Sequence, residues 1–322
     1  MGRDILALVS AAVLGDDDAA SGLAEEAKRD PQLLAPWWGK LLQAGVLYPP
    51  FIYLGADDSA QGELVDAIDR GFAGNRSDLN HALLALANAG GEKAEVAFRR
   101  WNDHPPPGAQ DLNVPVVDYT IEAGWTLAPA AGRRYLCSQS AFSLDVKVAS
   151  LRQEPNSTCP FCRSPLWVVF DLNLSDERVH SALSHTGWIG RLRVLTCQFC
   201  ACYGPLFSDV RSDGTSSWSE LSQRPAYLPA SDPANPAQPL FSVGAERPSP
   251  YMASAWDRGG STLGGFPEWI DDAAYLKCAR CGEMMDYVAL VGGADIAELG
   301  EGAYYVSLHA RCSLAGVSYQ QS

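Results

Sequence analysis

The spacing of the cysteines constrains this chain more than any other feature. Six of its nine cysteines fall into pairs with two residues between them, Cys159/Cys162, Cys197/Cys200 and Cys278/Cys281, and His309 stands at the same distance ahead of Cys312. A turn of that length presents two ligand atoms at the separation a tetrahedral metal site needs, while its amides donate to the sulfurs. Two such hooks make one site. Taken in chain order, they leave 34 residues between the first and second hooks and 27 between the third and fourth. Cys159, Cys162, Cys197 and Cys200 are therefore predicted to form one zinc centre, and Cys278, Cys281, His309 and Cys312 a second. Both are expected to be structural, because four protein ligands leave no position for water or substrate. A disulfide framework would need an oxidising compartment. A redox-active CxxC would need one exposed hook at a helix start.

The two halves around these hooks resemble each other. "CPFCRSPLWVVFDL" and "CARCGEMMDYVALV" run from a hook into an apolar strand, and "VLTCQFCACYGPLF" and "VSLHARCSLAGVSY" run from a strand into a hook. The spacing predicts an internal duplication of a zinc ribbon, at residues 159–200 and 278–312. Registering the copies places Cys202 opposite Leu314, so Cys202, like the unpaired Cys137, is expected to be a small buried hydrophobe. Each ribbon has little apolar area of its own, and structural zinc contributes on the order of 10 kcal/mol of folding free energy in peptides. Chelation is thus expected to unfold the C-terminal part and spare the rest.

Residues 1–107 read as helices. Apolar residues recur at three-to-four spacing from Ile5 to Val13 and from Leu79 to Ala87, the latter behind Ser77 and Asp78, and helical periodicity resumes from Glu92 to Trp101 after Gly90 and Gly91. The pattern is that of HEAT-like helical repeats, and a plain helical bundle fits it nearly as well. "HPPPG", His104 to Gly108, ends it, since three prolines remove three donors. "VPVVDYTI", "PLWVVFDLNL", "RLRVLT" and "AYYVSL" then read as strands. Seven prolines between Pro225 and Pro250 argue for a surface crossing or loop. The fold class expected is α+β: a helical domain, 1–107, followed by a β-rich domain, 108–322, holding both ribbons.

With 38 acidic residues against 24 basic ones, the net charge is −14. Such a chain repels polyphosphate and attracts a cationic partner. The ten-residue apolar run Ile5 to Leu14, with Asp4 before it and Asp16, Asp17 and Asp18 after it, is a poor signal peptide and too short to span a bilayer. A cytoplasmic location without membrane contact is expected. No HExxH, deaminase signature, nucleophile elbow, P-loop or dinucleotide fingerprint occurs. The remaining candidates for an unrecognised enzyme site are His104, Asp118 and Glu122.

"LGGFPEWI", Leu263 to Ile270, followed by "KCARCGEMMDYVAL" and the closing "GEGAYYVSLHARCSLAGVSYQQS", resembles the YwqG-like family of uncharacterised bacterial proteins. The same motif order is similar to the C-terminal region of the programmed cell death protein 2 family. The match covers roughly the last sixty residues well, the first ribbon moderately and the helices not at all. Two departures stand out: His309 replaces a usual cysteine, and "VALVGGADI" lacks a glutamine often found there. The resemblance implies an acidic protein holding a basic one, either a toxin immunity protein or a dedicated chaperone. The expected function is accordingly non-enzymatic binding of a basic protein, with Asp57, Asp58, Glu63 and Asp66 as candidate contacts. A nucleic-acid-binding ribbon is the alternative, with Arg163 and Arg280 as its candidate basic residues at the hooks.

Overall fold

The computed structural model describes residues 4–72, 75–128, 132–147, 158–229, 238–297 and 300–321. It divides into two compact units, Met1–Tyr135 and Leu136–Ser322.

The first unit is built from α1 (Ile5–Val13), α2 (Asp17–Arg29), α3 (Trp38–Gln43), α4 (Asp58–Arg70), α5 (Arg76–Ala89) and α6 (Glu92–Asp103). Side chains accept from orphan amides at the helix starts. Asp4 caps α1, Asp16 caps α2, Asp57 caps α4 and Asn75 caps α5. The helices are 9, 13, 6, 13, 14 and 12 residues long, with 3-10 turns inserted at Pro31–Leu34 and Pro50–Tyr53. The expected N-terminal helical region is present, and HEAT-like repetition among its helices is not shown.

Two expectations for this unit change. "VPVVDYTI" is not a strand but a 3-10 turn, Val116–Asp118, running into α7 (Tyr119–Glu122). Val116, Tyr119 and Thr120 are its buried positions, a helical period hidden by β-branched residues. The boundary at 107 also moves. The three prolines end α6, but the chain then returns to the same core with Val116, Tyr119 and Trp125. The Trp125 indole donates to the Ala87 carbonyl at 3.0 Å, and its ring meets Phe98 edge-on at 5.8 Å. The hairpin of β1 (Trp125–Leu127) and β2 (Arg133–Tyr135) completes this unit.

Among the described residues the second unit forms one ten-stranded sheet. In chain order it comprises β3 (Ala141–Lys147), β4 (Trp167–Asn173), β5 (Arg191–Thr196), β6 (Leu206–Val210), β7 (Ser216–Trp218), β8 (Leu240–Glu246), β9 (Thr262–Gly264), β10 (Asp286–Gly292), β11 (Ala303–His309) and β12 (Leu314–Gln320). The spatial order is β5-β4-β8-β3-β9-β10-β11-β12-β6-β7, antiparallel throughout except where β4 meets β8. The sheet curls so that β5, at one edge, reaches the loop after β6, where the Arg191 amide donates to the Ser212 carbonyl at 2.8 Å. Short helices α8 (Glu177–Leu183), α9 (Gln198–Ala201) and α10 (Gly293–Ile296) complete it. Every residue of β10 and of β11 is buried, which is why their sequences are continuous apolar runs and do not alternate.

The proline-rich stretch contains a central strand after all. β8 occupies the proline-free interval between Pro239 and Pro248, so counting prolines over the whole window concealed it. Residues 230–237 of that stretch lie outside the described residues. The expected ribbons are likewise not free-standing. Their strands share a core that includes Trp167, Phe170, Phe241, Val288 and Leu308. Chelation is therefore expected to loosen the hook turns before the sheet melts. Amide exchange that rose at 159–165 and 278–284 while β10 and β11 stayed protected would bear this out, and simultaneous loss of both would refute it.

The "LGGFPEWI" motif turns at the end of β9. Gly264 has φ +69°, and a Cβ there would meet the Ser140 carbonyl and Ala182 of α8. Gly259 has φ +76° with open space around it. Gly264→Ala is thus expected to destabilise the second unit by about 1–3 kcal/mol more than Gly259→Ala. Urea unfolding of the two variants measures the difference.

Candidate metal centres

Each cluster forms at the mouth of a hairpin. The first hook, Cys159/Cys162, precedes β4, and the second, Cys197/Cys200, follows β5; because β4 and β5 are antiparallel, these ends meet. The third hook precedes β10 and the fourth closes β11, again an antiparallel pair. The four donor atoms in each group lie within 4.8 Å of one another. In the first group, Cys159 and Cys200 sulfurs are 3.7 Å apart and those of Cys162 and Cys197 3.4 Å. In the second, the Cys281 sulfur is 3.6 Å from His309 Nδ1. A tetrahedron with metal–sulfur bonds of about 2.3 Å has edges of about 3.8 Å, or about 3.6 Å where one ligand is nitrogen. Both groups can therefore hold a metal ion. All eight cysteine and histidine ligands proposed from spacing come together here, and all the cysteines are free thiols.

Around the first hook of each cluster the local geometry repeats with one offset. Cys278 follows Cys159 by 119 positions (278 − 159), and the same shift carries the bridge Thr158–Pro165 onto Lys277–Met284 and β4 onto β10. It carries Arg163, at φ 68°, onto Gly282, at φ 79°. It also carries the bulge between Val168 and Phe170 onto that between Tyr287 and Ala289. Within the hooks, the Phe161 amide donates to the Cys159 sulfur and the Cys200 amide to the Cys197 sulfur, both at 3.4 Å.

Without metal the thiols share protons. S–H groups of Cys197 and Cys200 hold the Cys159 thiol well below its ordinary range, and those two donors are pushed up. The Glu283 amide holds Cys281 down, while loss of solvation pushes Cys312 up. A metal ion would displace those protons, so binding weakens as acid restores them. His309 is buried, with its Nε2 3.3 Å from the Glu283 carboxylate. That contact fixes the ring so that Nδ1 faces the sulfurs, a role Glu283 had no spacing signal to announce.

The two remaining cysteines differ. Cys137 is buried, its sulfur 3.0 Å from the Tyr275 hydroxyl, and burial pushes its thiol up to about 12. Cys202, expected to be buried opposite Leu314, is exposed. The registration fails because the first copy has a longer turn after its hook: β6 begins six positions after Cys200 (206 − 200), and β12 two after Cys312 (314 − 312). Leu206, buried, takes the place of Leu314. Of the acidic candidates, Asp57 accepts from the Ala60 amide at 2.9 Å as the cap of α4, and Asp58, Glu63 and Asp66 are exposed on that helix.

No protein-family model matches the chain, and no solved structure matches it. The YwqG-like resemblance rests on the quoted motifs alone. A curated relative does align. The chain is similar to the uncharacterized protein YpfL of Salmonella typhimurium. The two are 30% identical over 260 residues, 74% of this chain and 58% of that protein, so the chain spans little more than half of its relative's length. Since the larger unit has 187 residues (322 − 135) and 74% of the chain is about 238, the likeness reaches into both units. No helix among the described residues is long and apolar enough to cross a membrane.

Replacing Glu283 with Gln removes the carboxylate from His309 and is expected to weaken metal binding at the second centre about 10- to 100-fold, leaving the first unchanged. Competition with a chromophoric chelator reads both affinities. Equal affinities in variant and parent would show that Glu283 does not support the imidazole.

Proposed function

We propose that the protein is an acidic, zinc-stabilised binding protein for a basic protein partner. Closure of both clusters by four side chains carries the reading. Thiolate-rich tetrahedral sets suit zinc, and a filled shell leaves the ion without a position for substrate or activated water, so its task is to hold hairpin ends together. The net charge of −14 supports a cationic partner. A toxin immunity protein or dedicated chaperone is the form of binding that the motif resemblance of the C-terminal sixty residues implies. The nucleic-acid reading loses support at the second hook. There Arg280, one of its two candidate basic residues, is engaged by Asp209 at 2.5 Å.

Asp58, Glu63 and Asp66 are the contacts proposed on α4, while Asp57 is committed to capping. Exposed ion pairs contribute about 0.2–1 kcal/mol each, so the combined change Asp58→Lys, Glu63→Lys, Asp66→Lys is expected to lower affinity about tenfold. The same affinity should fall with added salt. Capture from the native cell and mass spectrometry would identify the partner, and calorimetry would then compare variant with parent. Capture of no protein, or an unchanged affinity in the triple variant, would count against binding and against this face respectively.

A further inference from the structure

The two clusters share a backbone plan and differ in cover. In the first, Cys159, Cys197 and Cys200 are fully buried and belong to the main core. Phe161, at the tip of its hook, packs edge-on against Trp218 at 5.2 Å, and Arg224 donates to the Phe161 carbonyl at 2.9 Å. The equivalent residue at the second hook is Arg280 (161 + 119), exposed and paired with Asp209. Beside it Cys281 is exposed, and Gly282 has open space where a side chain would stand. Cys278 and the half-buried Cys312 belong to a small satellite cluster with Phe207, Met285 and Leu314. One hook therefore has an aromatic lid, and the other has none.

We infer that the second centre is a releasable zinc site, opened by a peroxide-class oxidant that reaches Cys281 first, while the first centre stays closed. The inference rests on the zinc reading above. Reactivity follows thiolate character and access, and Cys281 has both when it ligates metal. Its sulfur attacks the O–O bond of hydrogen peroxide, becoming a sulfenic acid as hydroxide leaves. A second ligand thiolate, Cys312 or Cys278, then attacks that sulfur, forms the S–S bond and expels a second hydroxide. Two thiolates have together lost two electrons and the peroxide has gained two. With two of the four donors consumed, His309 and one sulfur would remain, too few to retain the ion, and the metal link between the start of β10 and the end of β11 would be lost.

The test uses the full chain loaded with zinc. Elemental analysis before oxidation separates the two ideas, because fewer than two zinc atoms per chain defeats the zinc reading itself. With two present, limiting hydrogen peroxide should release one, read by a colorimetric chelator, and peptide mapping should find Cys281 in a disulfide while Cys159, Cys162, Cys197 and Cys200 stay reduced. A thiol reductant with added zinc should restore the starting state. Release of both ions together, release from the first centre, or release with Cys281 still reduced would overturn the proposal. Phe161→Ala strips the lid from the first hook and should bring its zinc into the peroxide-releasable fraction. Unchanged retention there would refute the aromatic lid as the cause.

Discussion

Antiparallel pairing sets the start of one strand beside the end of its partner, and both cysteine-rich clusters exist because of that adjacency. A hook placed before β4 meets the hook placed after its antiparallel partner, β5. The same holds for β10 and β11. The long intervals between hooks are then the lengths of two strands and their connection. Everything else about the centres depends on this closure, including the buried imidazole of His309 and the amide donors that face the sulfurs.

Much of this was legible from residue spacing, because ligand pairs obey a geometric rule that survives without knowledge of the surroundings. The strands "RLRVLT" and "AYYVSL" were legible for a similar reason, being short β-branched and aromatic runs that match β5 and most of β11. Where the sequence misled, composition had been averaged over the wrong window. β8 lies between two prolines in a stretch that looked too proline-rich for any strand. "VPVVDYTI" buries Val116, Tyr119 and Thr120 at helical spacing, yet its valines speak for a strand. The boundary at the three prolines failed because proline ends a helix, not a core, and Trp125 still had a place among the helices. Glu283 and Phe161 were illegible for a further reason. Their roles come from what folds next to them, which spacing along the chain does not encode.

The repetition separates what the plan requires from what each copy can change. Hook turns, bulges and the left-handed residue after each first hook recur, so these are demands of backbone geometry. Residues at the hook tips, in contrast, are an aromatic ring in one copy and a guanidinium in the other. The halves keep one skeleton and differ in how much water touches the sulfurs.

Where the halves meet, β6 pairs with β12 about the midpoint of the seam, Leu206 opposite Val317 and Asp209 opposite Leu314. Within it Phe207 lies across from Gly316, where a Cβ would come within 3.1 Å of the ring and 2.7 Å of Leu276. A bare backbone on one side thus receives an aromatic face from the other. A side chain at position 316 could be admitted only if Phe207 and Leu276 moved aside. The join is fitted by two unequal residues, and the space that one leaves is the space that the other fills.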